Sequence, residues 1–121
     1  MSEKQSKSAL ERQDLGDVTV LRVRVSMLRG DETTEALFQE AFALVAEAGR
    51  SKLVLNLDGV VFLASVALGK LALLTRKTRA AGGRLVLCRV ARTMEEVLRM
   101  AHLTDLLPLY GDEQEAVRSF A

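Results

Sequence analysis

The chain has 121 residues, 49% of them hydrophobic, which suffices for one core and leaves no need of a second domain. Seventeen Lys and Arg against sixteen Asp and Glu leave a formal net charge of +1, so no global field draws the protein to nucleic acid or to an anionic membrane. A single Cys excludes an internal disulfide.

The opening MSEKQSKS is charged and has no apolar stretch behind it, which is not a secretory signal. Residues 1–8 are expected to be a flexible tail and 9–121 one domain. No apolar run approaches the ~18 residues of a membrane span, so the expectation is a soluble, cytoplasmic protein with no membrane partner. Leu10 to Leu15 reads as a first strand. After the turn signal Gly16-Asp17, Val18, Val20, Leu21, Val23 and Val25 alternate with Thr19, Arg22, Arg24 and Ser26, the period of a strand with one wet face. These two make a hairpin. Arg29-Gly30-Asp31 breaks the pattern, with Asp31 as helix cap. Leu37, Ala41, Leu44, Val45 and Ala48 then repeat along one helical face, which Phe38 and Phe42 widen, until Gly49 closes the helix.

Leu53, Val54, Leu55 and Leu57 read as a buried strand, and Asp58-Gly59 as a turn. Val60 to Leu63 carry the chain to Ala64-Ser65, where Ser65 is placed as the N-cap of a helix reaching about Ala81 and stopped by Gly82-Gly83. At about 100° per residue, Ala67, Leu68, Leu71, Leu74, Thr75 and Thr78 form its core stripe. Val66, Gly69, Leu73 and Ala80 fall on the other side, flanked by Lys70, Arg76 and Lys77. That side is either a contact surface or a normal scatter of surface apolar residues. Arg84 to Val90 reads as a central strand holding Cys88 as a buried thiol. Thr93 to about Ala101 reads as a helix presenting Met94, Val97, Leu98 and Ala101, with His102 after it in a structural role. Leu106, Leu107, Leu109 and Tyr110 suggest a last strand kept at an edge by Pro108, and Asp112 caps a final helix carrying Ala116, Val117 and Phe120. The order β-β-α-β-α-β-α-β-α predicts an α/β fold, a mostly parallel sheet of about four or five strands with about four helices.

Signals of catalysis are scarce. The sequence holds no phosphate-binding glycine loop, no H-E-x-x-H and no G-x-S-x-G, and its one His has no second metal-type ligand near it. No enzymatic activity, cofactor or metal is expected.

VLNLDGVVFLASVALGKL followed by AAGGRLVLCRV resembles the core of a STAS domain, as found in bacterial anti-sigma factor antagonists and stressosome components. In that family a strand with Asn or Asp near its end leads to an apolar turn. An Asp-Ser-[Ser/Thr]-Gly-like motif then opens a helix, and a Gly-Gly precedes the next strand. The resemblance runs from Val18 to the closing LYGDEQEAVRSF and implies a single STAS-like domain. Ser65 matches the serine that a partner kinase phosphorylates in the antagonists, and Leu68 and Gly69 match as well. Ala64 stands where the family usually has Asp, Val66 where it has Ser or Thr, and Ala67 where it has Gly.

The resemblance implies a bacterial, non-enzymatic protein-interaction module, an anti-sigma factor antagonist whose partner is an anti-sigma factor or serine kinase-like protein. The resemblance gives Ser65 as its phosphoacceptor, and the outer helix face with the nearby turn gives the expected partner-binding residues, Arg29, Gly30, Asp31, Val66, Gly69, Lys70, Leu73 and Lys77. The alternatives stay open at Ser65, which serves either as a regulated phosphoacceptor or as a plain cap. With Ala64 offering no carboxylate to orient a kinase, the second reading is a phosphorylation-independent scaffold or adaptor, which self-assembles into a homo-oligomer or binds constitutively.

Overall fold

The computed structural model describes residues 9–121, so the tail expected at 1–8 lies outside the described residues. Gly16, at φ +65°, folds Leu10–Leu15 (β1) back on Val18–Val23 (β2) as an antiparallel hairpin. There follow Met27–Leu28 (β3), Glu32–Ala46 (α1), Lys52–Asn56 (β4), Phe62–Leu63 (β5), Ser65–Ala80 (α2), Arg84–Cys88 (β6), Arg92–Met100 (α3), Leu109–Tyr110 (β7) and Glu113–Arg118 (α4). The main sheet has the order β1-β2-β4-β6-β7, and β2, β4, β6 and β7 run parallel. Each crossover from β2 onward steps the same way across the sheet. Connections of one hand then place α1, α2 and α3 on one face, and α4, which follows the last strand, takes the other.

Side-chain size follows this division. Leu21, Leu53, Leu55, Leu85 and Leu87 point into the cluster made with α1 to α3, where they meet Leu37, Phe38, Leu71, Leu74 and Leu98. Val18, Val20, Val54, Val86 and Cys88 face Ala116, with Val117, Phe120 and Tyr110 packed around them. Three helices leave a deep layer for leucine to fill. A single short helix lies close and leaves room for valine, so both faces are apolar while the two-residue period survives in the alternation of large and small.

Several boundaries differ from the sequence reading. β2 stops at Val23, β4 at Asn56 and β6 at Cys88, and Leu57, still buried, donates its N–H to the Cys88 carbonyl at 3.0 Å. Leu106 and Leu107 belong to a turn, their N–H groups both accepted by the Leu103 carbonyl, so the last strand is Leu109–Tyr110 alone and lies at the sheet edge. Ala48 and Ala101 lie beyond the ends of their helices and are exposed. Two further strands emerge as well: β3 and β5 pair in parallel as a separate small sheet, Met27 beside Phe62 and Leu28 beside Leu63.

Cys88 is buried, and desolvation pushes its thiol up to about 12, with the Glu113 carboxylate adding to the effect. At pH 8 about one molecule in ten thousand would then carry the reactive thiolate. In the folded protein Cys88 is expected to resist iodoacetamide at pH 8 and to label at the rate of global unfolding; rapid labelling without denaturant would contradict its placement.

Candidate functional site

The approach to α2 is fixed from both sides. The Asn56 side-chain carbonyl accepts the Asp58 N–H at 2.8 Å, Gly59 takes φ +86° at the turn, and the Val60 N–H returns to the Leu57 carbonyl at 3.0 Å. Val60 is fully buried and pins the turn to the core. Val61 then donates to the Ser26 carbonyl at 2.8 Å and Ala64 to the Leu28 carbonyl at 2.9 Å, continuing the β3–β5 ladder beyond its two paired residues. Ala64 is therefore still extended, at φ −73° and ψ 162°.

That last rung corrects the reading of Ser65 as the N-cap. Ala64 occupies the cap position, with no side-chain hydrogen bond, and Ser65 is the first helical residue. Extension therefore ends at Ala64, one residue earlier than a serine cap would require. Ser65 is exposed, and its hydroxyl has no hydrogen-bond partner among the described residues. It stands in the first turn of α2, where backbone N–H groups lack intrahelical acceptors.

Of the expected core stripe of α2, Ala67, Leu71, Leu74, Thr75 and Thr78 are buried, and Leu68 is partly buried against the same cluster. Across from it, Val66 is 43% and Leu73 36% exposed. Nothing lies within 4 Å of where a Gly69 Cβ would sit, so the helix has a bare notch between those two side chains. Arg76, Lys77 and Ala80 extend the same exposed side. Lys70 pairs with Glu35 of α1, its Nζ 3.3 Å from the carboxylate.

The turn at Arg29 to Asp31 lies against this helix. A Cβ on Gly30 would stand 3.3 Å from Val66 Cγ1, so the two segments form one surface. Asp31 caps α1 by accepting the Thr34 N–H at 3.0 Å, and this backbone hydrogen bond holds its carboxyl below the ordinary range. Arg29 rests on Met27, with Nη2 3.2 Å from Sδ. The structure thus brings Arg29, Gly30 and Val66 together and places Gly69, Leu73 and Lys77 farther along the same helix. Sequence reasoning did not single out Met27, Val61 and Phe62, which are 41%, 57% and 45% exposed beside the opening of α2. A two-residue strand shows no period, so an apolar run such as Val60 to Leu63 reads as interior throughout.

On the opposite face, Glu113 of α4 accepts from Arg22 Nε at 2.6 Å, from Arg22 Nη2 at 2.9 Å and from Asn56 Nδ2 at 2.6 Å. The same Asn56 therefore anchors α4 and shapes the turn that leads to Ser65. Among the described residues no group of three or more His, Cys, Asp or Glu could hold a metal ion, and no helix is long and apolar enough to cross a membrane.

The STAS domain profile matches residues 9–116. No curated protein sequence matches the chain significantly. Among solved structures, it is similar to an anti-sigma-factor antagonist (STAS) domain protein from Planctomyces limnophilus, at 24% identity over 91% of this chain and 96% of that one, with a TM-score of 0.77. An anti-sigma factor antagonist from Mycobacterium paratuberculosis is 27% identical over 91% of each chain, with a TM-score of 0.76. The Bacillus cell fate determinant SpoIIAA in its phosphorylated form is 18% identical over 93% of this chain and all of that one, with a TM-score of 0.73. A profile match over nearly all the described residues, on a fold shared with these proteins, means that the chain belongs to the STAS domain family.

Proposed function

We propose that this STAS domain is a non-enzymatic, cytoplasmic interaction module that acts as an anti-sigma factor antagonist. It binds a kinase-type anti-sigma factor through the outer side of α2 and the turn at Arg29, Gly30 and Asp31, and a phosphate on Ser65 switches the binding off. The observation that carries this reading is the exposed, unpartnered Ser65 hydroxyl beside the exposed Val66 and Leu73. Two of the structural relatives are named as anti-sigma factor antagonists, and a third was solved with a phosphate. Gly69 adds support, because a mid-helix glycine costs about 1 kcal/mol relative to alanine and the notch it leaves admits a partner's side chain.

The switch follows from charge and desolvation. A phosphate brings roughly −1.5 to −2 charges to the first turn of α2, where the helix dipole favours an anion, so the fold tolerates it. A partner covering Val66 and Leu73 would have to strip water from that dianion, which is costly unless the partner is cationic there. Binding of wild type, Ser65→Asp and Leu73→Asp to the purified anti-sigma factor tests the surface. Both variants are expected to bind at least tenfold more weakly, while undiminished binding by both would discard it. Intact mass after incubation with the anti-sigma kinase and ATP should rise by one phosphate, and the gain should vanish in Ser65→Ala.

A second reading rests on Ala64, which supplies no carboxylate at the opening of the helix. In it the domain is a scaffold or adaptor that binds constitutively or assembles with itself and never carries phosphate. An unchanged mass with unimpaired binding would favour it.

A further inference from the structure

From the groove between β1 and the second half of α1, and from the charge of the chain that leads into it, we infer that residues 1–8 fold back as a strap, with Lys7 seated against Glu40 and Lys4 against Glu47. The inference stands apart from the α2 surface, because the groove lies on the other flank of α1. Glu35 reaches across to Lys70 of α2, whereas Glu40 and Glu47 project about 120–140° around the helix from it. There they line a groove of about 340 Å³ together with Leu10, Arg12, Leu21 and Leu44. The groove exists because β1 is the edge strand: α1 crosses from β2 to β4, and no further helix covers the hairpin beyond it.

The two walls differ in charge. On β1, Arg12 is held by both oxygens of Asp14 at 3.0 Å. On α1, Glu40 and Glu47 are exposed and, among the described residues, have no cation within ion-pair distance. An apolar floor beneath two open carboxylates suits a lysine, whose methylenes can lie over Ala43 and Leu44 while the ammonium reaches the rim. Residues 1–8 hold two lysines and one acid, Glu3. Glu40 and Glu47 are about 10 Å apart along the helix axis, and Lys4 and Lys7 are about 9 Å apart in an extended segment whose three-residue turn sets both on one side. Direction agrees as well. The Ala9 carbonyl accepts the Arg24 N–H at 2.7 Å at one end of the hairpin, while Arg50 Nη2 donates to the Gly16 carbonyl at 2.7 Å and fixes the end of α1 beside the other. A segment doubling back from Ala9, where the backbone bends, therefore meets Glu40 before Glu47, in the order Lys7, Lys4. Eight residues reach up to about 27 Å, against about 17 Å for the length of β1. Tethering beside the groove gives the strap a millimolar-scale effective concentration, at which individually weak ion pairs suffice.

The test uses the full chain enriched in nitrogen-15, with a nitroxide attached through Ser2→Cys; Cys88 is buried and does not compete for the label. At low salt the amide signals of Ala43 and Glu47 should lose about half their intensity to the nearby radical, while that of Met100 on α3 is unchanged, and about 0.5 M salt should restore them. Lys4→Glu with Lys7→Glu should abolish the broadening, and adding Glu40→Lys with Glu47→Lys should bring it back. The first pair alters no residue of the core, so its effect cannot come from misfolding. Undisturbed α1 signals, or broadening that persists through Lys4→Glu with Lys7→Glu, would overturn the strap. Mixing the nitroxide-bearing chain at natural isotope abundance with enriched, unlabelled chain separates the remaining occupant: broadening passed between molecules would assign the groove to a second copy and overturn the inference, and none is expected.

Discussion

Gly83→Ala is expected to lower the unfolding free energy by about 3 kcal/mol, read from the urea midpoint. Gly83 joins the end of α2 to the start of β6. Its N–H donates to the Thr78 carbonyl at 2.9 Å, and the next N–H, of Arg84, donates to the Ser51 carbonyl at 2.9 Å. A methyl group on Gly83 would overlap that carbonyl, with the Ser51 carbonyl carbon only 2.5 Å away. Backbone cannot swing aside as a long side chain can. Relief requires moving the first rung between β4 and β6, where Lys52 pairs with Arg84, so the cost falls on the sheet interior. Gly69→Ala is the contrasting control: with open space around its Cβ, it should stabilise the domain by about 1 kcal/mol and, by filling the notch, weaken partner binding. Equal midpoints for Gly83→Ala and wild type would mean that the crossover at Ser51 is looser than its geometry.

Elements long enough to repeat were legible in the sequence. α2 spans 16 residues, and its 3.6-residue period separates Leu71, Leu74, Thr75 and Thr78 from Val66 and Leu73 without knowledge of what covers either side. Asp31 and Asp112 announced the starts of α1 and α4 because a carboxylate cap is a local interaction, and both do accept the expected N–H. The opening of α2 at Ser65 was legible too, but its cap was not. Ala64 has no capping chemistry, and what holds it extended is a hydrogen bond to Leu28, a residue remote in sequence. The exposure of Phe62 was hidden for the same reason, since it depends on β3 having Met27 and Leu28 in register with it. Ser65 was found by its hydroxyl and its helix, while the role first assigned to that hydroxyl went to a residue without a side-chain donor or acceptor.

Glu113→Ala should destabilise the domain by about 2 kcal/mol at pH 7, and the deficit should shrink below about pH 4. The carboxylate accepts from Arg22 and Asn56 together, and in the variant Asn56 Nδ2 loses its acceptor while Arg22 keeps Gln13 at 2.7 Å. The hydrogen bond from Arg22, more than that from Asn56, holds the Glu113 carboxyl below its ordinary range against the opposing effect of desolvation. A carboxyl whose folded value is depressed stabilises the fold fully above its unfolded value and loses that contribution as pH falls through the folded one. Urea midpoints of wild type and variant at pH 7 and pH 3 check the sign. The carboxyls of Asp14, Asp17 and Asp31 are also held low, so both proteins weaken in acid and only the difference between them reports on Glu113. A difference that stays constant with pH would assign the loss to packing of α4. Because Asn56 also holds the Asp58 N–H, the variant should in addition exchange that amide faster, a sign that the turn leading to Ser65 is braced from the far side of the sheet.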